Sequence, residues 1–166
     1  MPFYIADTNF FVQAHRMHYP LDVVPGFWRK LIDLEQRGLL VSIDKVKDEI
    51  IDYKDALSGW LTKELPGSFF KATSGVLAEY ARVTAWAMAH PQYTPAAKAE
   101  FCDDKIADTW IAAFALAHCP EAILLTHEKS EKDIKRKVKL PEVCTQFGLT
   151  YVNTIKMFRD LNETFS

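Results

Sequence analysis

Phe3-Tyr-Ile-Ala-Asp-Thr-Asn-Phe-Phe-Val12 opens the chain and sets how the rest of it reads. A short apolar run, Phe3 to Ala6, stops at three polar residues and resumes as Phe10-Phe11-Val12. An apolar run of this length bounded by turn residues reads as a buried strand. In an open α/β sheet, chemistry gathers outside the carboxyl ends of the strands. Asp7 is then a carboxylate delivered to the mouth of a sheet by its first strand.

The rest of the chain supplies the other parts of such a sheet. Residues 9–15 read as a short helix capped by Thr8 or Asn9, and 16–20 as a polar, aromatic loop. Pro25 stands at a first helical position, Phe27, Trp28, Leu31, Ile32 and Leu34 follow at helical spacing, and Gly38 marks the stop. Residues 39–43 form a second buried strand. Ser42 or Asp44 caps the next helix, whose apolar positions Val46, Ile50 and Tyr53 share one face. Glu49 lies about 60° from Val46, on the edge of that face, while Asp44 and Asp48 point to solvent.

Residues 55–100 read as a helical insertion, with helices at 55–64 and 74–89 separated by Pro66-Gly67, and 93–95 as its exit loop. A helix over 103–118 is acidic at its start and almost wholly apolar afterwards, hence buried. Asp108 enters that dry setting where the helix dipole favours negative charge. Residues 122–125 are a strand ended by Thr126-His127-Glu128, much as Asp7 ends the first. A net basic stretch, 129–139, leads to a helix at 141–147 stopped by Gly148. A last strand at 149–152 precedes a helix capped by Asn153 or Thr154. The expected class is α/β, with about four to five mostly parallel strands flanked by helices.

Composition narrows the class of protein. A chain of 166 residues fits one domain, 1–166, and its 49% apolar and 25% charged fractions are ordinary globular values. No apolar run reaches the roughly 18 residues of a membrane span, and no secretory signal opens the chain, so a cytoplasmic protein is expected. Cys102, Cys119 and Cys144 are odd in number and lack C-x-x-C spacing, which points to free, mostly buried thiols. A formal charge of −2 excludes a globally basic nucleic-acid binder but leaves room for a local basic patch. No G-x-G-x-x-G or P-loop is present, which disfavours dinucleotide and nucleoside-triphosphate enzymes. A phosphatase using Asp7 as nucleophile needs an acid two residues on, where Asn9 stands.

Four acids share an address: Asp7 after strand one, Glu49 in the helix after strand two, Asp108 on a buried helix, and Glu128 after another strand. Gathering carboxylates in a low-dielectric cleft raises each one's pKa and is unfavourable without compensation. Mg²⁺ or Mn²⁺, a hard cation with oxygen ligands, is the natural compensation. Such an ion can activate a water and neutralise the charge developing on a phosphodiester.

Asp7-Thr8-Asn9 after a strand, Val46-x-x-Glu49-Ile50, Asp108-x-x-Ile-Ala-Ala-x-Ala115 and Leu125-Thr-x-Glu128 resemble the four acidic motifs of PIN-domain nucleases, in order and spacing. The wider pattern Asp-Thr-Asn-x-Phe-x-Gln-Ala-His, with the Pro-Gly-Phe-Trp helix, resembles a bacterial PIN subfamily related to the ribonuclease toxins of toxin–antitoxin pairs. The resemblance implies a parallel sheet with helices on both faces and metal-dependent endonucleolytic cleavage of RNA. It also implies homodimers and a small antitoxin partner. Asp7, Glu49 and Asp108 carry over as metal-organising acids. Thr8 and Asn9 carry over as a hydroxyl and an amide that orient Asp7 or a bound water. Glu128 replaces the more usual Asp, so that it ligates directly or through water. Asp104 is an outer acid or a substitute for Glu128. The runner-up is a PIN-like scaffold that binds RNA or protein without cutting.

Each of these residues also has a plain reading. A lone strand-ending Asp-Thr-Asn is ordinary turn chemistry, and specificity comes from the set. His15 and His18 have metal-pair spacing but no third ligand nearby, so polar loop or phosphate contacts are expected. His127, Lys132, Lys135 and Arg136 lie beside Glu128 or just after it and are the candidate substrate contacts. Phe27, Trp28, Trp60, Phe69, Phe70 and Trp86 could stack bases, although packing is the expectation, as it is for Trp110.

Overall fold

The computed structural model describes residues 1–166. Its first strand, β1 (Phe3–Ala6), has Tyr4, Ile5 and Ala6 buried and lies at the centre of the sheet. It pairs in parallel with β2 (Leu40–Ile43) on one side, Ile5 opposite Val41, and with β4 (Ala122–Leu125) on the other, Ile5 opposite Leu124. The full order is β3-β2-β1-β4-β5, all parallel, with β3 (Phe70–Lys71) and β5 (Thr150–Val152) at the edges. Parallel neighbours need long crossovers, whose helices cover the sheet faces, which is why the inner strands are apolar apart from the buried Ser42. The Ser42 hydroxyl donates to the Ala6 carbonyl at 2.6 Å.

The crossovers carry eight helices, and a ninth follows β5. They are α1 (Thr8–Gln13), α2 (Pro25–Gln36), α3 (Asp44–Ile51), α4 (Ala56–Glu64), α5 (Leu77–Ala89), α6 (Pro95–Phe101), α7 (Ala107–Ala117), α8 (Leu140–Phe147) and α9 (Thr154–Leu161). α1 runs on into a wider π-type turn, Ala14–His18, which carries the helical path past residue 15 into the stretch expected as a loop from residue 16. No helix is long and apolar enough to cross a membrane. The parallel α/β sheet implied by the resemblance is the sheet observed.

Three expectations need correction. The segment 55–100 is not a purely helical insertion, because it carries the edge strand β3, which joins β2 in parallel. Two residues, one buried and one exposed, leave no periodicity to read, and so short an edge resists pairing with other chains. The 93–95 exit loop is instead the start of α6, capped by Thr94, with Pro95 in the first turn. The helix expected over 103–118 begins only at Ala107. Asp103 accepts from the Lys105 amide at 3.0 Å, a local turn that keeps Asp103 and Asp104 out of the helix.

The core is one cluster of 42 buried residues. Phe27, Trp28, Phe69 and Phe70 belong to it, Trp60 and Trp86 pack partly buried against it, and Trp110 stacks on Tyr80 with ring centroids 3.9 Å apart. The aromatic set is thus spent on packing. All three cysteines are free, but only Cys144 is buried while Cys119 is exposed, against the expectation of mostly buried thiols. Burial pushes the Cys144 thiol up to about 12, so it is inert at neutral pH.

Candidate active site

The chain steps outward from β1 to β2 and β3, then returns to β4 and β5 on the other side. The order therefore reverses between β1 and β4, and the crevice outside their carboxyl ends is where an open α/β sheet binds ligands. Asp7 stands at that point after β1, and Thr126 to Glu128 after β4. The Asp7 amide donates to the Leu125 carbonyl at 3.2 Å, and the His127 amide donates to Asn9 Oδ1 at 3.3 Å, so the two loops are tied across the crevice.

Asp7 is 1% exposed and caps α1 with its own side chain, a role expected of Thr8 or Asn9. Its Oδ1 accepts from the Phe10 amide at 2.6 Å, whereas its Oδ2 is buried with no hydrogen-bond partner. The Thr126 hydroxyl lies near enough to favour the charged carboxylate, yet no well-aligned hydrogen bond joins it to Oδ2. Burial, then the charges of Asp108 and Glu128, push Asp7 well above the usual carboxylate range.

Asp108 sits in the first turn of α7 beside a small cleft that it shares with Glu100, Phe101 and Lys137. Burial first, and the charge of Glu128 second, raise it to about 7, with Lys137 pulling the other way. Two carboxyls at the switch point thus resist ionisation together. That is the signature of an incomplete charge balance.

The two glutamates are engaged differently. Glu49 accepts from the Thr8 hydroxyl at 2.6 Å on Oε1 and from the Ala107 amide at 2.9 Å on Oε2. Glu128 accepts from Lys137 Nζ at 3.3 Å on Oε1 and from the Leu140 amide at 3.0 Å on Oε2. Ala107 and Leu140 are the first residues of α7 and α8, whose cap residues, Ile106 and Lys139, make no side-chain cap hydrogen bond. Each glutamate therefore caps a helix from across the fold, where the helix dipole also favours its charge.

The remaining sequence candidates divide. The Thr8 hydroxyl donates its hydrogen bond to Glu49, and Asn9 accepts from His127, so neither orients Asp7 by a direct hydrogen bond. Asp104 is exposed in the turn before α7, where its carbonyl, not its carboxylate, is used by Trp110 Nε1 at 2.8 Å. Arg136 lines a groove of about 440 Å³ with Asn9, His127, Glu128, Lys129 and Lys137. Lys132 and Lys135 are absent from that groove and line a second one on the same loop, with Gln92 strapping its backbone through the Lys132 and Ile134 carbonyls. Asp44, expected in solvent, instead binds the Thr73 amide at 3.1 Å and hydroxyl at 2.9 Å, securing the approach to α5. Asp48 is exposed as expected, and Tyr53 falls past the end of α3 and is 45% exposed.

Two residues passed over in the sequence belong to the site. Lys137 loses some preference for its charge through burial, but Glu128, Asp108 and Glu100 outweigh this and hold its pKa above the ordinary lysine value. Glu100, on α6, shares that small cleft with Asp108 and adds to the charge that raises it. Lys137 was one cation among several in a basic run, and Glu100 sat on a helix whose Thr94-Pro95 start could have signalled it but stood in what was expected to be an exit loop.

No three acidic, histidine or cysteine side chains close into a metal cage by themselves. The donors that remain open are nevertheless of the right kind. Asp7 Oδ2 is an orphaned, buried carboxylate oxygen beside a second carboxyl raised to about 7. A magnesium-like ion is commonly held by one or two carboxylates with waters completing its shell.

No curated protein and no solved structure matches the chain. The family model described as "Domain of unknown function (DUF4411)" matches residues 4–165, nearly the whole chain, and the chain belongs to that family.

Proposed function

We propose that this protein is a Mg²⁺- or Mn²⁺-dependent endoribonuclease of the PIN type, working in the cytoplasm as the toxin of a pair with an antitoxin protein. The observation that carries the reading is Asp7 Oδ2, buried without a partner beside Asp108 at the switch point of the sheet. Asp7 and Asp108 would hold the ion. When bound, it would polarise a water and neutralise the charge that develops on the scissile phosphate. Glu49 fixes Thr8 and the start of α7, and so sets where Asp108 stands. Glu128 holds Lys137 at the edge of the crevice, where that ammonium and Arg136 can meet a phosphate. Lys129, Arg136, Lys137 and Lys139 face two acids, Glu128 and Glu131, in the adjoining groove, which is the local basic patch that a net acidic chain permits.

The test is cleavage of single-stranded RNA by purified protein with added Mn²⁺. The wild type should cut and Asp7→Asn should not. Equal cleavage by both would refute the assignment.

One observation favours a second reading, a PIN-like scaffold that binds RNA or protein without cutting. All four oxygens of Glu49 and Glu128 are already satisfied by the protein. Metal-independent RNA binding, with no rise in melting temperature on adding Mn²⁺, would select this reading.

A further inference from the structure

Beside the acid crevice, at the carboxyl ends of β4 and β5, lies a cavity of about 790 Å³. It shares Thr126, His127 and Glu128 with the crevice, and His18, Lys129, Tyr151 and Lys156 complete its distinctive lining. Its volume falls in the range of ligand-binding clefts, roughly 300–1,000 Å³.

The His127 ring is fixed on several sides. It stacks flat on Phe10, with ring centroids 5.9 Å apart and planes 3° apart. Its Nε2 lies 2.9 Å from Thr154 Oγ1, and its amide donates to Asn9. The His18 ring lies 5.4 Å from it at a tilt of 33°, on the exposed side. The held His127 ring and the exposed His18 ring beside it offer a π surface on the cavity lining, and Lys129 and Lys156 stand exposed on the same lining. Lys156 shares its charge with Asp160, while Lys129 forms no ion pair.

We propose that this cavity is the subsite for one unpaired nucleotide of the RNA, on the reading that the neighbouring crevice is a nuclease centre. The base stacks against His18 at the His18–His127 edge, and its phosphate meets Lys129 and Lys156. Stacking tolerates any base because every base has a π face, but it requires that base to be free of a duplex. The subsite therefore selects single-stranded RNA by shape and leaves base identity largely unread. An anion site alone would need the lysines and not the rings.

The experiment is an NMR titration of full-length protein in EDTA, following the imidazole resonances of His18 and His127. The probes are 5′-AMP, ribose 5-phosphate and inorganic phosphate. The subsite predicts saturable shifts with 5′-AMP and binding of ribose 5-phosphate weaker by at least about fivefold, the lower end of the loss for one base-stacking contact. His18→Ala, a change at an exposed residue, should weaken 5′-AMP by a similar factor while leaving Mn²⁺ binding unchanged. Equal affinity for 5′-AMP and ribose 5-phosphate, or no saturable shift at millimolar 5′-AMP, overturns the subsite. Because the titration contains no metal, its failure is distinct from a failure to cleave RNA.

Discussion

The hydroxyl of Thr8 donates to Glu49 Oε1 at 2.6 Å, joining the first turn of α1 to α3 across 41 positions of sequence. The other oxygen of Glu49 accepts from Ala107, so one carboxylate ties together the helix that Asp7 caps and the helix that carries Asp108. Glu49 is in this account a positioning residue. Glu49→Gln keeps an oxygen for the Ala107 amide and an amide group for Thr8, and should melt within a few degrees of wild type. Glu49→Ala strands a helix-terminal N–H and should cost about 1–3 kcal/mol. At this chain length that is roughly 2–4 °C per kcal/mol in a thermal melt. Equal melting of the two variants would remove the capping role.

Glu128 makes the opposite case about side-chain length. The residue type usual at this place in the nucleases that the chain resembles is Asp, yet the longer side chain here reaches both Lys137 and the Leu140 amide. Glu128→Asp should therefore be destabilising, by about 1 kcal/mol, the typical worth of a helix cap. A melt of this variant at or above that of wild type would show that the extra methylene has no such purpose.

The pH dependence follows from the two raised aspartates. An acid whose pKa is higher folded than unfolded takes up a proton on folding, so its contribution falls as pH rises. For Asp108 the fall runs from about 4, the unfolded value, to about 7 and levels off above. Metal-free protein should lose melting temperature across that window. In Asp108→Asn the slope should flatten, because the amide cannot titrate. A wild-type slope that Asp108→Asn leaves unaltered would show that Asp108 ionises normally.

Asp7 was legible because a continuous apolar strand ends on it, and Asp108 because the residues after it are apolar on every side. The sheet followed from the same signal, repeated at β2, β4 and β5. β3 was hidden, since two residues carry no period, and it is recognisable only through its pairing with β2. Asp104 was misplaced because the helical pattern runs back through a turn that Asp103 closes on Lys105. The capping roles of Glu49 and Glu128 were beyond the sequence. Each depends on a backbone amide 58 or 12 residues away that only the folded chain brings near. α6 is different in kind: Thr94-Pro95 carries a cap-and-first-turn signal that the reading of 93–95 as an exit loop overlooks, and Glu100 is missed with it.

The central claim is that Asp7 and Asp108 together hold a divalent cation at the switch point. Calorimetric titration of Mn²⁺ into metal-free protein, at pH 7 in buffers of different ionisation enthalpy, tests it most directly. Ligating carboxylates must give up their protons, so binding should release protons, and release less as pH rises above the Asp108 value of about 7. The account predicts saturable binding with proton release in wild type, lost in Asp7→Asn and in Asp108→Asn. Undiminished binding in both variants, or none in wild type, would contradict it.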